Sequence, residues 1–285
     1  RGISPGTSLK DRGDPPRHNC RYEQRIAGAM TTGVLKMKLK NRVAIITGAG
    51  RNIGEATARL FAAEGAKVVV VDLSAERANY VASEIINEGG QAIAVVANVA
   101  SEIEVDKAVK AAVSAFGQVD ILINNAAVSD NKTILDITKE EWDRVIAVTL
   151  TGPFLFSMYV ARQMVAQGHG GCIVNVGSTS GERGRKRAVA YTAAKAGVAN
   201  LTRSLAVQLS PHGIRVNGVI PNKIGSPVGK EEFDPSRPVI NLVGRSGVPD
   251  DLAKALFFLS CDDSSFIVGE LLVVDGGAMV TMEGM

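Results

Sequence analysis

Val43-Ala44-Ile45-Ile46-Thr47-Gly48-Ala49-Gly50-Arg51-Asn52-Ile53-Gly54 decides the fold. The first five residues form an apolar, β-branched run with no polar face, the pattern of a strand buried on both sides. The glycines after it open directly into a helical pattern. A strand, a glycine-rich turn and a helix start in this order present backbone N–H groups and the positive helix end to a pyrophosphate. Asn52 stands where a further glycine is expected. Asn tolerates left-handed backbone better than other residues with a side chain, so the turn survives.

Working outward, short apolar runs recur at 43–47, 67–71, 92–97, 121–124, 172–176, 215–220 and 271–274. Helical patterns lie between them near 53–64, 75–88, 101–116, 139–167, 188–209 and 249–260. Strand–helix alternation with right-handed crossovers predicts an α/β fold, a Rossmann-type doubly wound parallel sheet of about seven strands. No composition break divides the chain after residue 40, so residues 37–285 read as one catalytic domain. Residues 1–36 hold Pro5, Pro15, Pro16, scattered Arg and no sustained period, and read as a disordered extension.

The formal net charge of +3 belongs to that extension. Residues 1–40 hold nine Lys/Arg against three Asp/Glu, and the rest hold 23 against 26. A mildly acidic body argues against a nucleic-acid partner. No uninterrupted apolar run nears the roughly 20 residues that span a bilayer, so no membrane partner is expected. Cys20, Cys172 and Cys261 show neither metal-ligand nor disulfide spacing, which points to a reducing, cytoplasmic location and no metal.

The second strand ends at Asp72, about 20 residues beyond the glycines, where a carboxylate accepts hydrogen bonds from an adenosine ribose diol. It repels a 2′-phosphate and so favours NAD. A turn or helix-cap role is the alternative. Arg51 argues the other way, since a cation in the turn meets a 2′-phosphate, and NADP stays possible. Farther on, Tyr191 and Lys195 share one helix face at i and i+4. A phenol is a poor base at neutral pH, and a nearby ammonium lowers its pKa. Ser178 lies 13 residues upstream, after a strand, and its hydroxyl can reach the same pocket.

Together with Asn98-Val99, Asp120-Ile121-Leu122-Ile123-Asn124-Asn125-Ala126, Arg215-Val216-Asn217, Pro221…Ile224 and Val274-Asp275-Gly276-Gly277, these elements resemble the short-chain dehydrogenase/reductase family over residues 41–280. The nearer likeness is to its 3-oxoacyl-carrier-protein reductase-like, ~250-residue subtype. The resemblance implies a secondary alcohol/ketone oxidoreductase. Tyr191 is then the acid/base, Lys195 the ribose holder that lowers the Tyr191 pKa, and Ser178 the residue that holds the substrate oxygen. Gly48, Arg51, Asn52, Ile53, Gly54, Asp72, Leu73, Asn98, Val99, Asn125, Ala126, Pro221, Ile224 and Ser226 are the implied coenzyme contacts, with Tyr191 and Lys195. A homotetramer or homodimer is implied as well, with apolar segments near 160 and 271–274 as interfaces.

The chain departs from the family pattern at Ala127 and Asn222, where Gly is usual, and at Thr149, where Asn is usual. The third departure implies a reduced or altered proton relay. It leaves an alternative reading open, a catalytically weakened nucleotide-binding sensor or scaffold. Four cations in the 181–187 loop, Arg183, Arg185, Lys186 and Arg187, suit an anionic small-molecule substrate, or else a solvated loop. Residues 225–245 read as the substrate lid.

Overall fold

The computed structural model describes residues 37–228, 236 and 238–280. The expected extension at 1–36 and part of the expected lid lie outside the described residues. Seven strands form one parallel sheet: β1 (Val43–Thr47), β2 (Lys67–Asp72), β3 (Gln91–Val96), β4 (Ile121–Asn124), β5 (Gly171–Val176), β6 (Ile214–Pro221) and β7 (Leu271–Val274). Their order is β3-β2-β1-β4-β5-β6-β7. The chain winds one way from β1 to β3 and then the other way from β4, so a crevice opens beyond the carboxyl ends of β1 and β4.

Side-chain alternation along the strands builds two core layers. Ala44 and Ile46 face one layer with Val68, Val70, Ile121 and Ile123. That layer is closed by Phe61 of α1 (Asn52–Ala63), Val81 and Ile85 of α2 (Ala75–Asn87), and Leu252 and Leu256 of α7 (Pro249–Ser260). Val43 and Ile45 face the other layer with Val69, Leu122 and Ile173. It is closed by Val105 and Val109 of α3 (Glu102–Phe116), Phe156 and Val160 of α5 (Gly152–Gln167), and Ala206 of α6 (Val189–Leu209). Each fully buried aliphatic contributes about 1.5–3 kcal/mol, so both layers hold the sheet in register.

The pattern over 139–167 is not one regular helix. It divides into α4 (Lys139–Ile146), a π turn over Ala147–Thr151, and α5. Pro153 explains the break: an α-helix would pair its N–H with the Thr149 carbonyl, and proline has none. The backbone widens instead, and Gly152 N–H bonds the Ala147 carbonyl. By length and composition these 29 residues would suffice to cross a bilayer. Half of the most apolar window is buried, as in a core helix.

A polar seam crosses the second layer. Asn124 Nδ2 donates to Ser157 Oγ at 3.0 Å and to Asn175 Oδ1 at 2.8 Å, and Asn175 Nδ2 donates to Thr202 Oγ1 at 2.9 Å. It ties α5, β4, β5 and α6 at the depth where the crevice begins. Asn175→Ala removes one bond from each neighbour, while Asn124 Nδ2 keeps Ser157 Oγ and the Pro153 carbonyl and Thr202 Oγ1 keeps the Val198 carbonyl. We expect a stability loss of about 1–3 kcal/mol in urea unfolding, the scale of two buried hydrogen bonds. A loss below about 0.5 kcal/mol would show that the seam is not a structural tie.

Candidate active site

The turn after β1 is built from backbone. Gly48 has φ +61°, and Asn52 has φ +54°, the left-handed geometry that Asn tolerates best among residues with a side chain. A Cβ on Gly54 would lie 2.1 Å from the Gly48 carbonyl oxygen, so the turn closes only around glycine. The N–H groups at the start of α1 therefore form a cradle that fits a pyrophosphate. Ile53 follows Asn52 within the first turn of the helix. Arg51, at the N-cap, is extended and part-exposed.

Asp72, at the end of β2, is buried at 7% exposure. Its Oδ2 accepts Gly50 N–H at 3.0 Å, and its Oδ1 accepts Ser74 N–H at 2.9 Å and Arg77 Nη2 at 3.2 Å. Leu73 beside it is exposed. Asn98 holds its own turn, accepting Ala100 N–H at 3.0 Å, while Val99 is buried against Gly152. On the far lip, Ile224 is buried and bridges Gly247, and Pro221 ends β6. Asn52 Nδ2 donates to Ser226 Oγ at 2.8 Å, so the phosphate turn and the loop after β6 touch.

Ser178, Tyr191 and Lys195 meet at the carboxyl end of β5, all buried. Lys195 Nζ stands 5.7 Å from the Tyr191 ring centre and donates to the Val176 carbonyl at 2.6 Å. Burial is the largest influence on the Tyr191 phenol and pushes its pKa up, against the Ser178 hydroxyl and the charge of Arg185, which pull it down. Burial also lowers the Lys195 ammonium to about 7. With the ammonium turned toward Val176, desolvation dominates both groups.

One loop, 124–132, assembles the site. Asn125 and Ala126 donate backbone N–H to Thr47 Oγ1 at 3.0 and 3.1 Å, and Asn125 Nδ2 reaches the Thr47 and Gly48 carbonyls. Val128 pairs both its N–H and its C=O with the Thr149 hydroxyl, at 3.1 and 2.9 Å. Asp130 caps α6: its carboxylate accepts Tyr191 N–H at 3.2 Å and Ala190 N–H at 3.4 Å. The helix's own N-cap, Ala188, sits at φ +71° without a capping side chain. Asp130 escapes a reading of the sequence because its partners lie 60 and 61 residues away. Its residue type is the one available signal.

In the cationic loop, Arg185 Nη1 donates to Ser180 Oγ at 3.3 Å, and Ser180 N–H donates to Ser178 Oγ at 3.1 Å. Arg183 instead pins the Met279 carbonyl. Near residue 160 the apolar side chains split. Val160 is core, whereas Phe154 and Val165 are exposed, as is Val273 on edge strand β7.

A family model described as enoyl-(acyl carrier protein) reductase matches residues 48–279. L-rhamnose 1-dehydrogenase (NAD(P)(+)) of Azotobacter vinelandii is 38% identical over 87% of this chain and 100% of its own length. A 3-oxoacyl-[acyl-carrier-protein] reductase of Synechocystis sp. is 39% identical over 85% of this chain and 98% of its own. A short-chain type dehydrogenase/reductase of Mycobacterium marinum of known structure superposes with a TM-score of 0.79 at 32% identity, covering 86% and 98% of the two chains. The fold and site define an oxidoreductase of the NAD(P)-using α/β class. The chain belongs to the short-chain dehydrogenase/reductase family.

Asp130→Ala removes the cap from the helix that carries Tyr191. We expect kcat to fall about tenfold, with nucleotide affinity little changed and Asp130→Asn partly restoring it, as the loss of one cap costs about 1 kcal/mol. Equal falls in kcat and in coenzyme affinity would mean that Asp130 merely holds the fold.

Proposed function

We propose that the chain interconverts a secondary alcohol and a ketone by hydride transfer with NAD(P), with NAD favoured. The observation that carries this reading is the buried Ser178–Tyr191–Lys195 group at the carboxyl end of β5, the same edge of the parallel sheet at which the glycine cradle follows β1. The nicotinamide coenzyme, when bound, supplies the hydride acceptor or donor. Tyr191 takes the hydroxyl proton in oxidation and gives it to the carbonyl oxygen in reduction. Ser178 holds that oxygen. Lys195 holds the ribose hydroxyls, and its ammonium favours the phenolate once turned toward it. Asp72 supports NAD through its place at the end of β2.

Arg185, held beside Ser180, supports an anionic substrate. The exposed Phe154, Val165 and Val273 support a homodimer or homotetramer. The activity for which the Synechocystis relative is named supports an oxo-ester as one candidate substrate. A cytoplasmic location is part of this reading and rests on the cysteine usage.

A second reading, a weakened nucleotide-binding sensor, draws on Thr149. Its hydroxyl is engaged with Val128 as both donor and acceptor, which leaves no hydroxyl hydrogen for a relay water. A turnover screen with NAD and NADP over small alcohols, sugars and oxo-esters separates the two. Turnover that falls about 10²–10⁴-fold in Tyr191→Phe, with nucleotide binding kept, supports the enzyme. Binding without turnover on any substrate supports the sensor.

The lowered Lys195 pKa has a signed consequence for stability. Between about 7 and the ordinary 10.5, the unfolded chain holds a proton on Lys195 that the folded chain has lost. The unfolded state binds more protons there, so this group's contribution to stability rises with pH across the window and is lowest below it. The melting temperature of Lys195→Met should lack that rise. Parallel pH profiles for the two proteins would refute the shift.

A further inference from the structure

The turn after β1 and the loop after β6 belong to strands that have β4 and β5 between them in the sheet, yet they touch. One side chain makes the bridge. Asn52 Nδ2 donates to Ser226 Oγ at 2.8 Å and to the Ser226 carbonyl at 3.3 Å. Gly225 lies beside it at φ +59°, and a Cβ there would stand 2.0 Å from Asn52 Oδ1, so only glycine lets the loop pass this close. The turn carries a side chain where glycine is expected, and the loop lacks one where that side chain arrives.

Both ends of the bridge are braced. Asn52 is the first residue of α1 and holds φ +54°, in the turn that closes only around Gly54. On the loop side, Gly225 N–H donates to the Gly247 carbonyl at 2.9 Å, and Gly247 N–H donates to the Lys223 carbonyl at 3.2 Å. A glycine at 52 would offer the same backbone N–H to a pyrophosphate at the same φ, so the side chain serves the loop rather than the cradle. Ser226 Oγ accepts from Asn52 and so keeps its own proton to donate. An anionic oxygen seated at the start of α1 is an acceptor that suits it.

We infer that Asn52 is a positioning residue that latches the loop after β6 onto the phosphate cradle and slows the departure of a bound dinucleotide. This rests on the dehydrogenase reading above and adds to it a control over coenzyme release.

The test is stopped-flow binding and displacement of NADH or NADPH, whichever binds tighter, on the full chain in wild type, Asn52→Gly, Ser226→Ala and the double variant. Asn52→Gly keeps the cradle. It should raise the dissociation rate about five- to tenfold, the scale of one lost hydrogen bond, and change the association rate less than about twofold. Asn52 acts mainly through Ser226, so the double variant should dissociate no more than about threefold faster than the faster single variant. Amide hydrogen exchange at 222–228 should quicken in Asn52→Gly before any nucleotide is added. If Asn52→Gly does not fold, Asn52→Ser, too short to reach Ser226, reads the same contact. A dissociation rate within about twofold of wild type, effects that multiply fully in the double variant, or faster association with unchanged dissociation would overturn the latch. Failure of wild type to bind either dinucleotide would instead remove the dehydrogenase reading itself, while quickened exchange in Asn52→Gly would still show the latch.

Discussion

The hydroxyl of Thr47 receives the backbone amides of Asn125 and Ala126 at the point where the sheet reverses its winding. The rest of the site hangs from that contact. It joins the first strand's turn to the loop after β4, and that loop goes on to clamp the π turn through Val128 and cap the helix that carries Tyr191 through Asp130. Parts that are distant in sequence are thus positioned by one short stretch of backbone rather than by separate anchors. Each contact pairs a backbone group with a short side chain, Thr47, Thr149 or Asp130, which has few rotamers to lose.

Burial governs the ionisation of Tyr191 and Lys195. The phenol and the ammonium lie within the same dry region, and each is pushed toward its neutral form. Arg185 and Ser178 act in the opposite direction on the phenol. The site is therefore sensitive to any change that alters the orientation of Lys195, since Val176 and the phenol compete for one ammonium.

Much of this is legible in the residues. All seven strands can be placed, because doubly buried strands are continuous apolar runs bounded by glycine and polar turns. The left-handed backbone at Asn52 follows from residue type. The division of 139–167 is hidden, although Pro153 stands inside the run. Ala147, Val148 and Leu150 keep the stretch apolar, so composition does not mark the π turn. Asp130 and Arg77 are hidden for another reason. A cap 61 residues away from its amide and a guanidinium laid on a strand-end carboxylate are products of folding, and a local sequence window holds neither. The effect of Lys195 on Tyr191 is expected from spacing alone, and spacing does not report which carbonyl the ammonium finds first.

The π turn divides the labour of one long helix. Ahead of it, Val145 packs with Tyr191, Ala188 and Ala190, while behind it Phe156, Val160 and Met164 pack on the sheet. One extra residue in a turn rotates the downstream helix by about 100° relative to a regular one. The two halves can therefore accumulate substitutions separately. The rear half can be retuned for core fit while the front half keeps its face toward the Tyr191 ring, which makes this segment a natural seam for diversification within a shared architecture.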